Sequence, residues 1–144
     1  FKTARYLPVD LDTLMTTADY ISIHVPATPE TEDLIDARHL AMMKPTAYLI
    51  NTSDASIVDQ EALARALSGD RIAGAACDVF DSHPIAPDNP LLGLDNVVLT
   101  PHLGGATAET VQRHSEMMTD DILRFIKGWP PKNIVNREVW RRRG

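Results

Sequence analysis

Four short apolar runs, set between stretches of helical spacing, constrain this chain more than any other feature of its sequence. Residues 20–26, 47–51, 72–79 and 96–100 are rich in β-branched and apolar types and read as strands. Proline ends the first. The second is apolar almost throughout, as expected of a strand covered on both faces. Asp10 is a good N-cap for a helix over 11–17, with Leu11, Leu14 and Met15 on one face. A second helix is expected over 35–43, with Leu40 and Met43 inward and Pro45 ending it. Asp59 caps a third over 60–68, which turns Leu63, Ala66 and Leu67 inward and ends at Gly69. The last spans 107–127, carries Val111, Met118, Ile122 and Phe125 on one stripe, and is stopped by Gly128 and Pro130-Pro131. Residues 6–9 suggest the tail of one more strand. This alternation is the pattern of an α/β domain built on a parallel sheet, and 144 residues suffice for one domain.

Composition narrows the function. A net charge of −6 argues against a nucleic-acid-binding surface, which needs a basic stripe. Arg141-Arg142-Arg143 reads as a solvated tail. No apolar run is long enough to cross a bilayer and no signal peptide opens the chain, so a cytoplasmic protein without a membrane partner is expected. The single cysteine, Cys77, rules out an internal disulfide and fits a reducing compartment. It lies in an apolar run and reads as a buried, inert thiol. Phe1 is not a methionine, and the chain is expected to be part of a longer polypeptide.

Parallel strands bring their carboxyl ends to one edge, where ligands of open α/β sheets bind. Here those ends carry His24, then Asn51-Thr52-Ser53-Asp54, then Asp78, then Thr100 and His102. The stretch 97–105 runs from a strand into Pro101, His102 and the pair Gly104-Gly105, which would hold an imidazole over a cleft. His102 and His83 are acid/base candidates, because imidazole titrates near working pH. The plainer readings are that His102 caps a turn, that His83 is solvated in its proline-rich loop, and that Asp78 caps a backbone amide. His39 and His114 fall on helices and read as packing or surface positions. No His, Cys or carboxylate spacing of a zinc or EF-hand type is present.

Several strings together resemble one family. Ile23-His24-Val25-Pro26 with Thr28-Pro29-Glu30-Thr31, Met43-Lys44-Pro45, Leu49-Ile50-Asn51-Thr52, Val58-Asp59, Asp78-Val79-Phe80 with Pro84, and the run 96–105 follow in order over nearly the whole chain. They resemble the C-terminal part of the NAD-binding domain of the D-isomer-specific 2-hydroxyacid dehydrogenases, the group that includes D-3-phosphoglycerate dehydrogenase. The resemblance implies a Rossmann-type parallel sheet with helices on both faces, its first βαβ unit absent. It implies hydride transfer between NAD and the CH–OH group of a small 2-hydroxy acid, in a protein that is a homodimer at full length. His102 takes the family's acid/base position, and Asp78 meets the nicotinamide side. Val25, Pro26, Thr52, Ser53, Asp54, His102, Leu103, Gly104 and Gly105 complete the cofactor contacts. Residues 107–144 are expected to be a helix and tail that pack on a substrate domain or a partner subunit.

Two positions depart from that family's pattern. Its substrate-binding arginine falls at Asp54, and its histidine-orienting glutamate falls at His83. An aspartate cannot clamp a carboxylate, because like charges repel and the bidentate guanidinium is lost. A second histidine cannot stabilise a charged His102 as a carboxylate would. The paired reversal suggests a charge swap, with Asp54 partnering His102 while His83 faces the substrate. That arrangement requires Asp54 within hydrogen-bond reach of His102 or His83. The Gly-x-Gly-x-x-Gly turn that cradles a pyrophosphate is missing from the sequence, so weak NAD binding and no activity are expected of these residues alone. The rival reading is a catalytically inactive relative that keeps the fold as a cofactor-binding or regulatory module.

Overall fold

The computed structural model describes residues 6–142. The chain divides into two compact units, one ending at His102 and one beginning at Leu103.

The first unit opens with α1 (Leu11–Thr17), capped by Asp10, whose carboxylate accepts from the Thr13 N–H at 2.7 Å. Residues 6–10 form no strand. Their apolar side chains Tyr6, Leu7 and Val9 stay exposed. After α1 come β1 (Tyr20–Ile23), α2 (Ala37–Met42), β2 (Tyr48–Asn51), a 3₁₀ turn (Ala55–Ile57), α3 (Gln60–Ser68), β3 (Gly74–Cys77) and β4 (Val97–Leu99). The four strands are parallel and lie side by side in chain order. Helix α3 begins at Asp59 and has Gly69 as its C-cap, at the expected residues. The left-handed residue of that cap is the next one, Asp70 (φ 51°). Asp70 N–H donates to Leu67 C=O and Arg71 N–H to Ala66 C=O, the paired bonds of a Schellman motif.

Register decides which side chains share a face. Ile21, Leu49, Ala75 and Val97 align across the sheet, as do Ile23, Asn51, Cys77 and Leu99. This face meets Met15 of α1, Leu40 of α2 and Leu63 and Leu67 of α3 in one continuous core. Tyr20, Tyr48, Ile50, Ala76 and Val98 lie on the other face, where Tyr20 is 71% and Val98 63% exposed. Within this unit, then, the helices cover one face rather than both. The strand order gives the reason. Right-handed crossovers that keep stepping the same way across a sheet place successive helices on the same side.

On the open face the Tyr20 and Tyr48 rings stack, with centroids 5.4 Å apart. Tyr48 leans over Gly74, where a Cβ would lie 2.8 Å from the Asn96 carbonyl oxygen and 3.0 Å from the Tyr48 ring. The carbonyl belongs to backbone and cannot swing away. Gly74→Ala is therefore expected to lower stability by about 1–3 kcal/mol, read as a lower urea midpoint with unchanged slope.

Cys77 is buried on the covered face, and burial pushes its thiol up to about 11. That environment suits the inert thiol expected from the sequence.

The second unit contains α4 (Ala108–Ile126), capped by Thr107, and α5 (Arg137–Arg141). Asp121 of α4 accepts from the Lys132 and Asn133 backbone N–H groups, folding the segment after α4 back along it. Phe125 meets Trp140 edge-on at 6.2 Å. The arginine run read as a solvated tail begins on this short helix, where Arg141 and Arg142 are exposed.

Candidate functional site

The carboxyl ends of the four strands are stitched together by side chains that the loops contribute. Asn51, buried at the end of β2, donates its amide to the Asp54 carbonyl at 2.8 Å and accepts from the Ser53 N–H at 3.1 Å. These two bonds shape the loop 52–54. Ser53 Oγ donates to the Val25 carbonyl at 2.5 Å and so ties the loops after β1 and β2. Asp78 N–H donates to the Asn51 carbonyl at 2.9 Å, tying β2 to β3. Thr100 closes the row, its hydroxyl donating to the buried Asp78 carboxylate at 2.5 Å.

Val25, Pro26, Thr52, Ser53 and Asp78 therefore lie on one edge, as the strand order required. His24 also stands at this edge but bonds Ser22 of its own strand at 2.8 Å. Leu103, Gly104 and Gly105 open the second unit, in an exposed turn where Ala106 N–H donates to Leu103 C=O. Of the helical histidines, His114 is exposed, whereas His39 is buried and bonded to Asp36 at 2.8 Å.

His102 has φ 57°, in the left-handed region, with its N–H donating to the Thr100 carbonyl at 3.0 Å. For a residue with a full side chain this conformation costs about 1–2 kcal/mol. Backbone strain of this kind clusters at functional positions, because it holds a side chain where relaxed backbone would not. The held imidazole meets a second one, with His83 Nε2 and His102 Nδ1 3.1 Å apart and the rings tilted by 54°. Both rings are exposed. Phe80 packs 6.5 Å from the His83 ring, and the two share an apolar cavity of about 280 Å³ with Ile85, Leu92 and Leu99.

Asp54 is not where the charge swap required it. Its carboxylate accepts from the Ser56 N–H at 3.0 Å and the Ser56 hydroxyl at 2.8 Å, capping the 3₁₀ turn, and forms no hydrogen bond with either histidine. The competitor is local: an aspartate two residues before a serine finds a backbone partner before a distant side chain. Those Ser56 bonds hold the Asp54 carboxyl below its ordinary value, and the nearby His102 adds to the effect through space. A lowered carboxyl stabilises the fold above its unfolded pKa, near 4, and the benefit is lost as pH falls through the folded value. Asp54→Ala is expected to cost about 1 kcal/mol at neutral pH, and the gap to the parent should close in acid. Urea denaturation at both pH values measures it.

Sequence reasoning reaches Asn51 only as a strand end and misses its part in shaping the loop. The signal is present in the string Asn51-Thr52-Ser53, since asparagine bonds backbone two residues on.

Among the described residues, no group of three or more His, Cys, Asp or Glu side chains could hold a metal ion, and no helix is long and apolar enough to cross a membrane.

Comparison with known proteins matches residues 1–104 to the model of the D-isomer specific 2-hydroxyacid dehydrogenase, NAD binding domain. Glyoxylate reductase of Thermofilum pendens is 50% identical over 130 residues, covering 90% of this chain and 38% of that protein. D-3-phosphoglycerate dehydrogenase of Archaeoglobus fulgidus is 42% identical over 128 residues, covering 89% of this chain and 24% of that protein. The chain thus spans two fifths or less of the length of these relatives. The crystal structure of the TT0316 protein from Thermus thermophilus superposes with a TM-score of 0.85 at 40% identity, over 94% of this chain and 44% of that one. With its parallel α/β sheet and matched cofactor domain, the chain belongs to the D-isomer specific 2-hydroxyacid dehydrogenases.

Proposed function

We propose that the full-length protein is an oxidoreductase that moves hydride between NAD and the CH–OH carbon of a small 2-hydroxy acid, with His102 as its acid/base. The strained backbone of His102, which presents an imidazole at the sheet edge, is the observation that carries this reading. When bound, the nicotinamide supplies or accepts the hydride. The residues at the edge fit its nearer half. Val25 and Pro26 offer apolar surface, Thr52 and Ser53 offer hydroxyls, and Asp78 is a carboxylate fixed by Thr100. Leu103, Gly104 and Gly105 are proposed to continue those contacts.

His102 gives a proton to the substrate oxygen in the reducing direction and removes it in the oxidising one. Asp54 leaves a negative charge near that histidine. Since Asp54 and His83 stand where the family's arginine and glutamate would, the resemblance leaves the choice of 2-hydroxy acid open to them. Glyoxylate and 3-phosphohydroxypyruvate are the first keto acids to try, given the relatives' activities.

We also read the apolar stripe of α4, with Met118, Ile122 and Phe125 exposed, as a surface that packs on a substrate domain or on the second subunit of a cytoplasmic homodimer. Sedimentation of the full-length protein tests the dimer.

The deciding experiment is NADH consumption by the full-length protein against a panel of 2-keto acids, with and without a substitution at His102. Turnover that depends on His102 supports an enzyme. NAD binding without turnover supports the rival, a cofactor-binding module.

A further inference from the structure

We infer that His83 relays protons between solvent and His102, so that the two imidazoles work as a bidirectional proton wire. The inference rests on the reading of His102 as the acid/base group.

The geometry is that of a single N–H···N hydrogen bond, with His83 Nε2 and His102 Nδ1 3.1 Å apart. One ring donates and the other accepts, and either can take either part. A carboxylate in the place of His83 would only accept. An imidazole differs because it has a second nitrogen, which can take a proton as the first gives one up. His83 is solvent exposed and can exchange protons with water. Phe80 and Pro84 flank it with apolar surface. A charged group near His102 on another loop is Asp54, and its two close hydrogen bonds are made to Ser56.

In the reducing direction the pair starts neutral, with protons on His83 Nε2 and His102 Nε2. When the substrate carbon is reduced, its carbonyl oxygen gains negative charge. The His102 Nε2–H bond breaks and an O–H bond forms. His102 Nδ1 takes the proton from His83 Nε2, and His83 Nδ1 takes one from water. One solvent proton has entered and one has reached the substrate, and both rings end neutral in their other tautomers. Once product has left, protons walking back through the pair from the substrate side restore the starting tautomers. Oxidation runs the same path in reverse.

The test uses NADH turnover of the full-length protein with its best 2-keto acid. His83→Ala should lower kcat by about 10–100-fold, the usual effect of removing a group that supports another. Added imidazole should restore the alanine variant saturably, by refilling the space with a group that carries protons. His83→Gln keeps a hydrogen bond to His102 but cannot pass a proton on. It should stay as slow as the alanine variant and gain nothing from imidazole. In mixtures of H₂O and D₂O the parent's rate should curve with deuterium fraction, as two moving protons require, and the glutamine variant's should be linear. A glutamine variant as fast as the parent, an unaffected alanine variant, or no gain from imidazole would each overturn the relay while leaving His102 as the acid/base. A parent inactive on every 2-keto acid overturns the functional reading itself, and the relay with it.

Discussion

His102→Asn is expected to lower turnover of the full-length protein by about 10²–10⁴-fold, the range for losing a general acid/base, and to leave stability nearly unchanged. Asparagine is the informative substitution because of the backbone. At φ 57° most side chains are strained, and asparagine is among the few that tolerate it. Alanine would mix a chemical loss with a conformational one. The Asn side chain can also accept from, or donate to, His83, so the local hydrogen bonding survives while proton transfer does not. Comparing kcat with the urea midpoint separates the two effects. A kcat within about threefold of the parent would remove His102 from the chemistry.

Leu49→Ala has the largest expected effect on stability. Leu49 sits mid-strand in β2, 1% exposed, paired in register with Ile21 on one side and Ala75 on the other. Its side chain is part of the core between the sheet and the helices. Truncation removes buried methyl groups and leaves a cavity that two hydrogen-bonded neighbours prevent from collapsing, a loss of about 2–5 kcal/mol. Chemical denaturation measures it, with a lower midpoint and an unchanged slope. Leu92, 47% exposed in the loop before β4, makes the control: Leu92→Ala should fall within about 0.5 kcal/mol of the parent.

How much of this is written in the sequence depends on how far each structure reaches along the chain. Helix α3 is bounded to the residue because its limits are local: Asp59 bonds the N–H three positions on, and Gly69 donates back four positions to Arg65. Strand ends are less legible. The apolar run 72–79 pairs as a strand only over Gly74–Cys77, since pairing depends on where β2 and β4 lie and not on the run itself. The row of polar strand ends follows from chain order alone. The His83–His102 contact does not, because it bridges 19 positions through a loop whose path no local pattern states. His102's left-handed backbone carries no glycine or asparagine to announce it. Asp54 fails as a histidine partner for the opposite reason: the serine two residues away is a nearer competitor than any reading of charge alone can weigh.

Cys77 gives the chain a built-in clock. It is the single thiol in the sequence, it is shielded on the covered face of β3, and its environment suppresses the reactive thiolate. A thiol reagent can therefore mark the protein only in the moments when β3 is uncovered. With reagent in modest amount, the labelling rate counts how often that strand opens under native conditions, without denaturant and without any engineered probe. The same rate, read on the peptide that carries Cys77 while NAD is added to the full-length protein, would register binding at the far end of the strand as a slowing of the clock.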